Sequence, residues 1–202
     1  MSKLRRIVLV RHGETTGESS IRYHGATDVP LSDSGCAQMR DVAKSLVQEN
    51  FDLVVASSLR RSWQAAWIVS GGAPVRLEPR FREIDFGRWE GLTKEEIAAA
   101  DPQLYEEWQS KGTAFDFPGG EARSDFHART LEGLENLKNC GATCALVVAH
   151  RGTVRSIAEA LVGSPLAAEE PVLGAHIGLS CAADGSWNLG RRGSNPAGLE
   201  AA

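Results

Sequence analysis

The chain has no run of eighteen apolar residues, so no segment of it is suited to cross a bilayer as a helix. Its first apolar stretch, Ile7 to Val10 after the basic Met1-Ser2-Lys3-Leu4-Arg5-Arg6, is too short for the core of a secretion signal. The expected compartment is therefore the cytoplasm, with no membrane partner. Positive charge is also short: 22 Lys and Arg against 26 Asp and Glu leave a net charge of −4, which argues against nucleic acid as a partner. A local arginine cluster could still hold an anion. There are only four cysteines, Cys36, Cys140, Cys144 and Cys181; Cys140 and Cys144 are separated by three residues, and that pair has no further His or Cys partner at a zinc-like spacing. They read as reduced, buried and structural, and no metal site is expected. No internal repeat is evident. What remains is an ordinary globular composition, 42% apolar and 24% charged, in 202 residues. That is enough for one α/β domain with a full core.

Strands and helices alternate along the chain. Leu4 to Val10 is an apolar, partly β-branched run that ends against Arg11-His12-Gly13, as a buried parallel strand ends at a functional loop. Ser32 or Asp33 can cap a helix through Cys36, Met39, Val42, Ala43, Leu46 and Val47. Phe51 to Ala56 is a second strand, Arg60 to Val69 a helix, and Val75 to Leu77 a short edge strand. Thr93 to Ala100 can form a capped helix, and Asp101-Pro102 ends it or starts another. Ser124 to Lys138 is amphipathic. Ala145 to Ala149 is a third buried strand, ending at His150, and a helix follows from Thr153 to Leu161. Ile177 to Ala182 and Trp187 to Leu189 flank the hairpin signal Asp184-Gly185. The expected fold is α/β: a three-layer α/β/α sandwich on a mostly parallel sheet with an antiparallel edge strand. The expected domain covers residues 1–192, with a lid-like insertion near 89–118 and a disordered tail from 193 to 202.

In such sheets the carboxyl ends of the strands share one edge, where ligands bind. Arg11, His12, Arg60 or Arg61, Glu83 and His150 are the polar groups expected there. They match the parts of a phosphoryl-transfer site: cations for the anionic oxygens, a neutral imidazole as nucleophile, and a carboxylic acid to protonate the leaving oxygen.

These residues lie in blocks that resemble the histidine phosphatase superfamily, in its phosphoglycerate-mutase-like branch. Arg11-His12-Gly13-Glu14-Thr15 follows a strand. Ser57-Ser58-Leu59-Arg60-Arg61-Ser62 is similar to the family's second block and selects Arg61 over Arg60. Arg82-Glu83-Ile84-Asp85-Phe86-Gly87-Arg88-Trp89-Glu90-Gly91 resembles the third. Pro118-Gly119-Gly120-Glu121 and Val147-Val148-Ala149-His150-Arg151-Gly152 complete the series, in the family's order. The resemblance implies that His12 attacks phosphorus in line and that Glu83 protonates the leaving alcohol, then activates water. It implies Arg11, Arg61 and His150 as the charge cradle, with no metal or organic cofactor. His150 would be protonated beside a bound phosphate.

One departure stands out. Where the family usually has an asparagine that donates to phosphate, this chain has Glu18, which accepts only. Either Glu18 turns away, toward Arg22, or Ser19 or Ser20 supplies a hydroxyl. His24, at a position that faces the pocket in relatives, and Gly152 complete the expected substrate-binding set of Glu18, Ser19, His24 and Gly152. Trp63, Trp67, Trp89 and Trp108 are expected to pack in the core or lid. The implied activity is hydrolysis of a small phosphorylated metabolite, as in the small bacterial broad-specificity and α-ribazole-phosphate phosphatases, by a monomer or homodimer. Between Trp89 and Pro118 only Lys94 and Lys111 are basic, fewer than the alternative, a cofactor-dependent phosphoglycerate mutase, would carry. A non-catalytic phospho-ligand binder is the third reading, and Glu18 alone favours it.

Overall fold

A computed structural model describes residues 3–167 and 170–193. Its central strand is β1 (Arg6–Arg11), whose interior residues are all buried. Side chains alternate across the strand, so Ile7 and Leu9 enter one apolar layer while Val8 and Val10 enter the other. That need for cover on both faces places helices on both sides.

One face is covered by α1 (Asp33–Ser45) and α2 (Arg60–Val69), through Met39, Val42, Ala65 and Ala66. The other is covered by α5 (Arg123–Lys138) and α6 (Arg151–Val162), through Leu134, Leu137, Val154 and Ile157. The sheet adds β2 (Leu53–Ala56), β3 (Arg76–Leu77), β4 (Cys144–Ala149), β5 (His176–Cys181) and β6 (Trp187–Gly193), in the order β3-β2-β4-β1-β5-β6. β3, β2, β4 and β1 are parallel, and the antiparallel pairings lie at one end, β1 with β5 and β5 with β6. This is the expected three-layer sandwich.

Several boundaries differ from expectation. Ser32 does cap α1, accepting from the Gly35 N–H, but the helix stops at Ser45, and Val47 is 73% exposed. The apolar periodicity ran on past the last turn that the sheet can cover. α6 begins at Arg151, directly after His150. β6 runs through Gly193 because β5 offers it ladder partners, so the domain does not stop at 192. The expected disordered tail otherwise lies outside the described residues. Trp63 and Trp67 are exposed on α2 rather than packed, and the four cysteines are free and half-buried rather than buried.

Residues 84–126 build a third apolar cluster, a cap with its own core. It contains α3 (Lys94–Ala100) and α4 (Pro102–Lys111). Thr93 caps α3 in a capping box with Glu96. Trp89 is 1% exposed, stacks on Phe115 at 5.3 Å and donates its Nε1–H to Asp101 at 2.8 Å. Ile84, Ile97, Phe117 and Phe126 close around it, with Trp108 half-buried at the side. Among the described residues no helix is long and apolar enough to cross a membrane.

Trp89→Ala should cost about 3–5 kcal/mol of unfolding free energy, the usual range for emptying a large aromatic site. Urea unfolding reads this, and a loss below about 1 kcal/mol would separate the cap from the cooperative core.

Candidate active site

The site follows from strand register. β1 and β4 are parallel with Arg11 opposite Ala149, so the next residues, His12 and His150, emerge side by side. Their ring centroids are 5.1 Å apart. β2 pairs with β4 one strand over, which brings Ser57 beside His150. Three strand ends thus deliver Arg11-His12, Ser57 and His150 to one edge, and the first turn of α2 adds Arg61.

His12 is 4% exposed. Its Nδ1–H donates to the Gly13 carbonyl at 2.7 Å, a bond that fixes the tautomer and leaves the lone pair on Nε2. Arg61 is fully buried, and its Nε–H donates to that Nε2 at 3.2 Å. Its terminal nitrogens donate to the carbonyls of Thr27, His24 and Gly25 at 2.7, 2.9 and 2.8 Å. Arg60, by contrast, is exposed and binds Asp28 only through its backbone N–H. Burial lowers the Arg61 pKa to about 10, as it does for Arg11, where the charge of Arg151 adds to the effect. Both stay cationic at neutral pH.

His12 is held well below the usual imidazole value. Burial is the main cause, and the charges of Arg61 and Arg11 add to it. His150 is lowered in the same way by burial, then by Arg61, His12 and Arg11. The free protein therefore presents neutral His150, and the protonation expected beside phosphate needs the anion in place. His150 shares a hydrogen bond between Nε2 and Ser57 Oγ at 2.9 Å. Its Nδ1 has no hydrogen-bond partner among the described residues, nor has the buried Nε of Arg11, whose Nη1 donates to the Pro171 carbonyl at 2.9 Å. A buried donor without an acceptor is costly, and Arg11 Nε is one; His150 Nδ1 is a donor only in the tautomer whose Nε2 accepts from Ser57, or when the ring is protonated.

Glu83 is 8% exposed. Its carboxylate accepts from the N–H of Ile84 at 3.0 Å and of Gly152 at 2.9 Å. A β-carbon at Gly152 would come within 2.4 Å of that carboxylate, so a larger residue there would push Glu83 from its place. Arg129 clamps the segment carrying Glu83: it donates to the carbonyls of Arg80, Arg82 and Glu83 and pairs with both oxygens of Glu121.

The four expected substrate-binding residues take other work. Glu18 has φ of 59° and pairs with Arg22 at 3.1 Å, its side chain 63% exposed, so it turns away as one alternative allowed. Ser19 Oγ is taken by Thr15 Oγ1 at 2.5 Å. Gly152 uses its N–H on Glu83. His24 donates from Nε2 to the Gly17 carbonyl at 2.5 Å and supplies a carbonyl to Arg61; its buried Nδ1 alone has no partner among the described residues.

Sequence reasoning passed over three supporting residues. Ser57 holds His150. Arg129, in the middle of a polar helix, carries no signal. Glu90 stood in the third block without a role, yet its carboxylate gathers the N–H groups of Gly25, Ala26, Thr27 and Phe86 and the Thr27 hydroxyl. It holds the loop that holds Arg61. Among the described residues no group of three His, Cys, Asp or Glu is placed to bind a metal ion.

A neutral imidazole between guanidiniums, with a carboxyl group nearby, defines a phosphoryl-transfer site built on histidine. The chain belongs to the histidine phosphatase superfamily, branch 1, which it matches over residues 7–181. It is 34% identical over 182 residues to the glucosyl-3-phosphoglycerate phosphatase of Mycolicibacterium vanbaalenii, covering 85% of this chain and 80% of that one. It is 30% identical over 164 residues to phosphoserine phosphatase 1 of Hydrogenobacter thermophilus, covering 80% and 78%. The solved α-ribazole phosphatase of Shigella flexneri superposes with a TM-score of 0.80 at 25% identity, covering 92% of this chain and 94% of that one. By class the chain is a phosphoric monoester hydrolase.

Two outcomes test the geometry. Glu90→Gln should lower kcat/KM for p-nitrophenyl phosphate by about 10- to 100-fold, the scale of small misplacements at a reacting centre; unchanged kinetics would show that Arg61 holds its place without that loop. The second is pH-dependent stability. The two imidazoles are depressed below their ordinary 6.5 in the fold and return to it on unfolding. The unfolded chain then binds more protons below about pH 6.5, so stability is retained above that pH and falls beneath it. The thermal midpoint should drop between pH 7 and 5, less steeply in a His12→Asn, His150→Asn double variant.

Proposed function

We propose that this chain hydrolyses phosphate monoesters of small metabolites, with His12 Nε2 as nucleophile. The observation that carries this is the buried Nε–H of Arg11, which has no acceptor among the described residues and lies beside an imidazole whose tautomer is already set. A phosphoryl oxygen supplies the acceptor that it lacks, and a protonated His150 can donate from Nδ1 to another.

In the first step the Nε2 lone pair attacks phosphorus, and the bond to the ester oxygen breaks on the opposite side. Glu83 gives its proton to the departing alcohol. Arg61 gives up its hydrogen bond to Nε2 and turns its Nε–H to a phosphoryl oxygen, while Arg11 and His150 hold the others. The anion favours protonated His150, reversing the effect of burial. In the second step Glu83, now a carboxylate, takes a proton from water, whose oxygen attacks phosphorus; the N–P bond breaks and inorganic phosphate leaves. The charge on the oxygens is balanced by arginines throughout. Within the cap, residues 89–118 serve as a lid over the leaving group, and the enzyme works in the cytoplasm, as a monomer or homodimer with no nucleic-acid partner. The named relatives act on a glucosyl-phosphoglycerate, a phosphoserine and an α-ribazole phosphate, which supports a small phosphorylated substrate here.

Turnover of p-nitrophenyl phosphate in EDTA between about pH 5 and 8 is the expected result, with inhibition by vanadate, whose geometry resembles the in-line transition state. His12→Ala should lose at least about 10⁴-fold in kcat while remaining folded. A protein that hydrolyses nothing, but interconverts 3- and 2-phosphoglycerate after priming by a bisphosphoglycerate, would overturn the hydrolase reading in favour of a mutase.

A further inference from the structure

Ser57 and His150 meet at the ends of the paired strands β2 and β4, and both are buried. The Ser57 hydroxyl has two contacts among the described residues. It accepts from the Leu59 N–H at 3.2 Å and shares a hydrogen bond with His150 Nε2 at 2.9 Å. The shared bond can run either way, and its direction decides which nitrogen of a neutral His150 carries the hydrogen.

The two directions differ in what they leave unmet. If Nε2 carries the hydrogen, Ser57 Oγ accepts from both Leu59 and His150, and the hydroxyl's own hydrogen has no acceptor among the described residues. Nδ1 is then a bare acceptor without a donor. If Nδ1 carries the hydrogen, the Ser57 hydroxyl donates to Nε2, and the Nδ1–H alone is left over. Each buried polar group without a partner is costly, so the arrangement with fewer of them is favoured.

The start of α6 points the same way. His150 is the residue that caps this helix, yet its side chain makes no capping hydrogen bond. A bare Nδ1 could accept from the first-turn N–H groups, as side chains at this position commonly do, whereas a nitrogen bearing hydrogen cannot. A ring with hydrogens on both nitrogens would strand the Ser57 hydrogen. Ser57 therefore joins burial and the charges of Arg61 and Arg11 in keeping the free ring neutral.

The His150 ring lies 5.1 Å from that of His12, centroid to centroid, at the edge where Arg11 Nε also lacks an acceptor. The Gly13 carbonyl sets the tautomer of His12; a hydroxyl does the same for its neighbour. We propose that Ser57 is a positioning residue that fixes His150 in its Nδ1–H form, so that the neutral ring offers a donor to a phosphoryl oxygen before any proton is taken up. The inference rests on the phosphatase reading above for the oxygen that Nδ1 meets. Any second proton that the bound anion draws in goes to Nε2, against the preference of Ser57.

Nitrogen-15 NMR of the full-length protein with labelled histidines tests this, because a ring nitrogen bearing hydrogen and a bare one resonate far apart. The His150 signals are those missing from His150→Asn. At about pH 8, well above the ordinary imidazole value, His150 should show a protonated Nδ1 and a bare Nε2. Ser57→Ala should lose that single form and give averaged shifts. It should also bind sulfate about tenfold more weakly by calorimetry, the scale of one hydrogen bond to a charged group. Sulfate stands in for the phosphoryl group because its charge does not change in this range. Ser57→Cys keeps a weak donor at nearly the same volume and should fall between the two, which a loss of packing alone would not produce; it carries the test at smaller amplitude should Ser57→Ala not fold. A bare Nδ1 or an imidazolium in the wild type overturns the inference. So does a tautomer or a sulfate affinity unmoved by the variants, or no sulfate binding at all. In each of these cases turnover of p-nitrophenyl phosphate leaves the phosphatase reading standing. The expected tautomer and sulfate response without any turnover would uphold the role of Ser57 and overturn that reading.

Discussion

The buried guanidinium of Arg61 is the constraint on which the site depends. A charge taken out of water must be met by other dipoles, and here the carbonyls of His24, Gly25 and Thr27 meet it. On the same loop Glu90 collects the N–H groups of Gly25, Ala26 and Thr27, which turns the carbonyls the other way. Glu90 in turn belongs to the segment that carries Trp89 into the cap core. A chain of satisfied polar groups therefore runs from the apolar cluster of the cap to the Nε2 of His12. Remove one link and the cost falls on the next, since each buried group has few alternative partners.

The same burial sets the chemistry. Imidazoles packed among guanidiniums stay neutral, which a nucleophile requires, and the hydrogen bond to Gly13 decides which nitrogen is available. The Nε–H of Arg11 is buried without an acceptor among the described residues, a cost that a bound anion would relieve. The fold tolerates this because two large apolar layers and a third cluster surround a small polar edge. Phosphate binding should accordingly return stability to the protein as well as occupy its site.

Glu18 shows how a departure from a family pattern can be absorbed. It keeps a positive φ that suits asparagine or glycine better, yet its carboxylate leaves the site for Arg22. Arg22 also donates to Glu96 and to the Gly91 carbonyl, tying the strap after β1 to the cap. Glu18 is thereby part of the join between loop and cap. Arg123, at the start of α5, is fastened within the cap by stacking on Phe117 and by its hydrogen bond to the Phe115 carbonyl.

Much of this was legible in the sequence, and the reason is local. The apolar runs of β1 and β4 end in His12 and His150, and a parallel sheet aligns such ends, so the meeting of these two residues at one edge followed from pattern, whereas the role expected of His12 came from the family resemblance. The Ser32 cap and the Thr93 cap rested on short-range signals of the same kind, while the choice of Arg61 over Arg60 came from the family resemblance. Only tertiary structure decided what depends on contacts distant in the chain: Glu90 under residues 25–27, Arg129 behind Glu83, and Ser57 against His150. It also decided where α1 ends, which tryptophans are covered, and that Glu18, Ser19 and Gly152 spend their polar groups on other residues. A hydrogen bond across sixty or ninety residues leaves no periodicity to read, because it is set by which layers meet and not by what stands next in line.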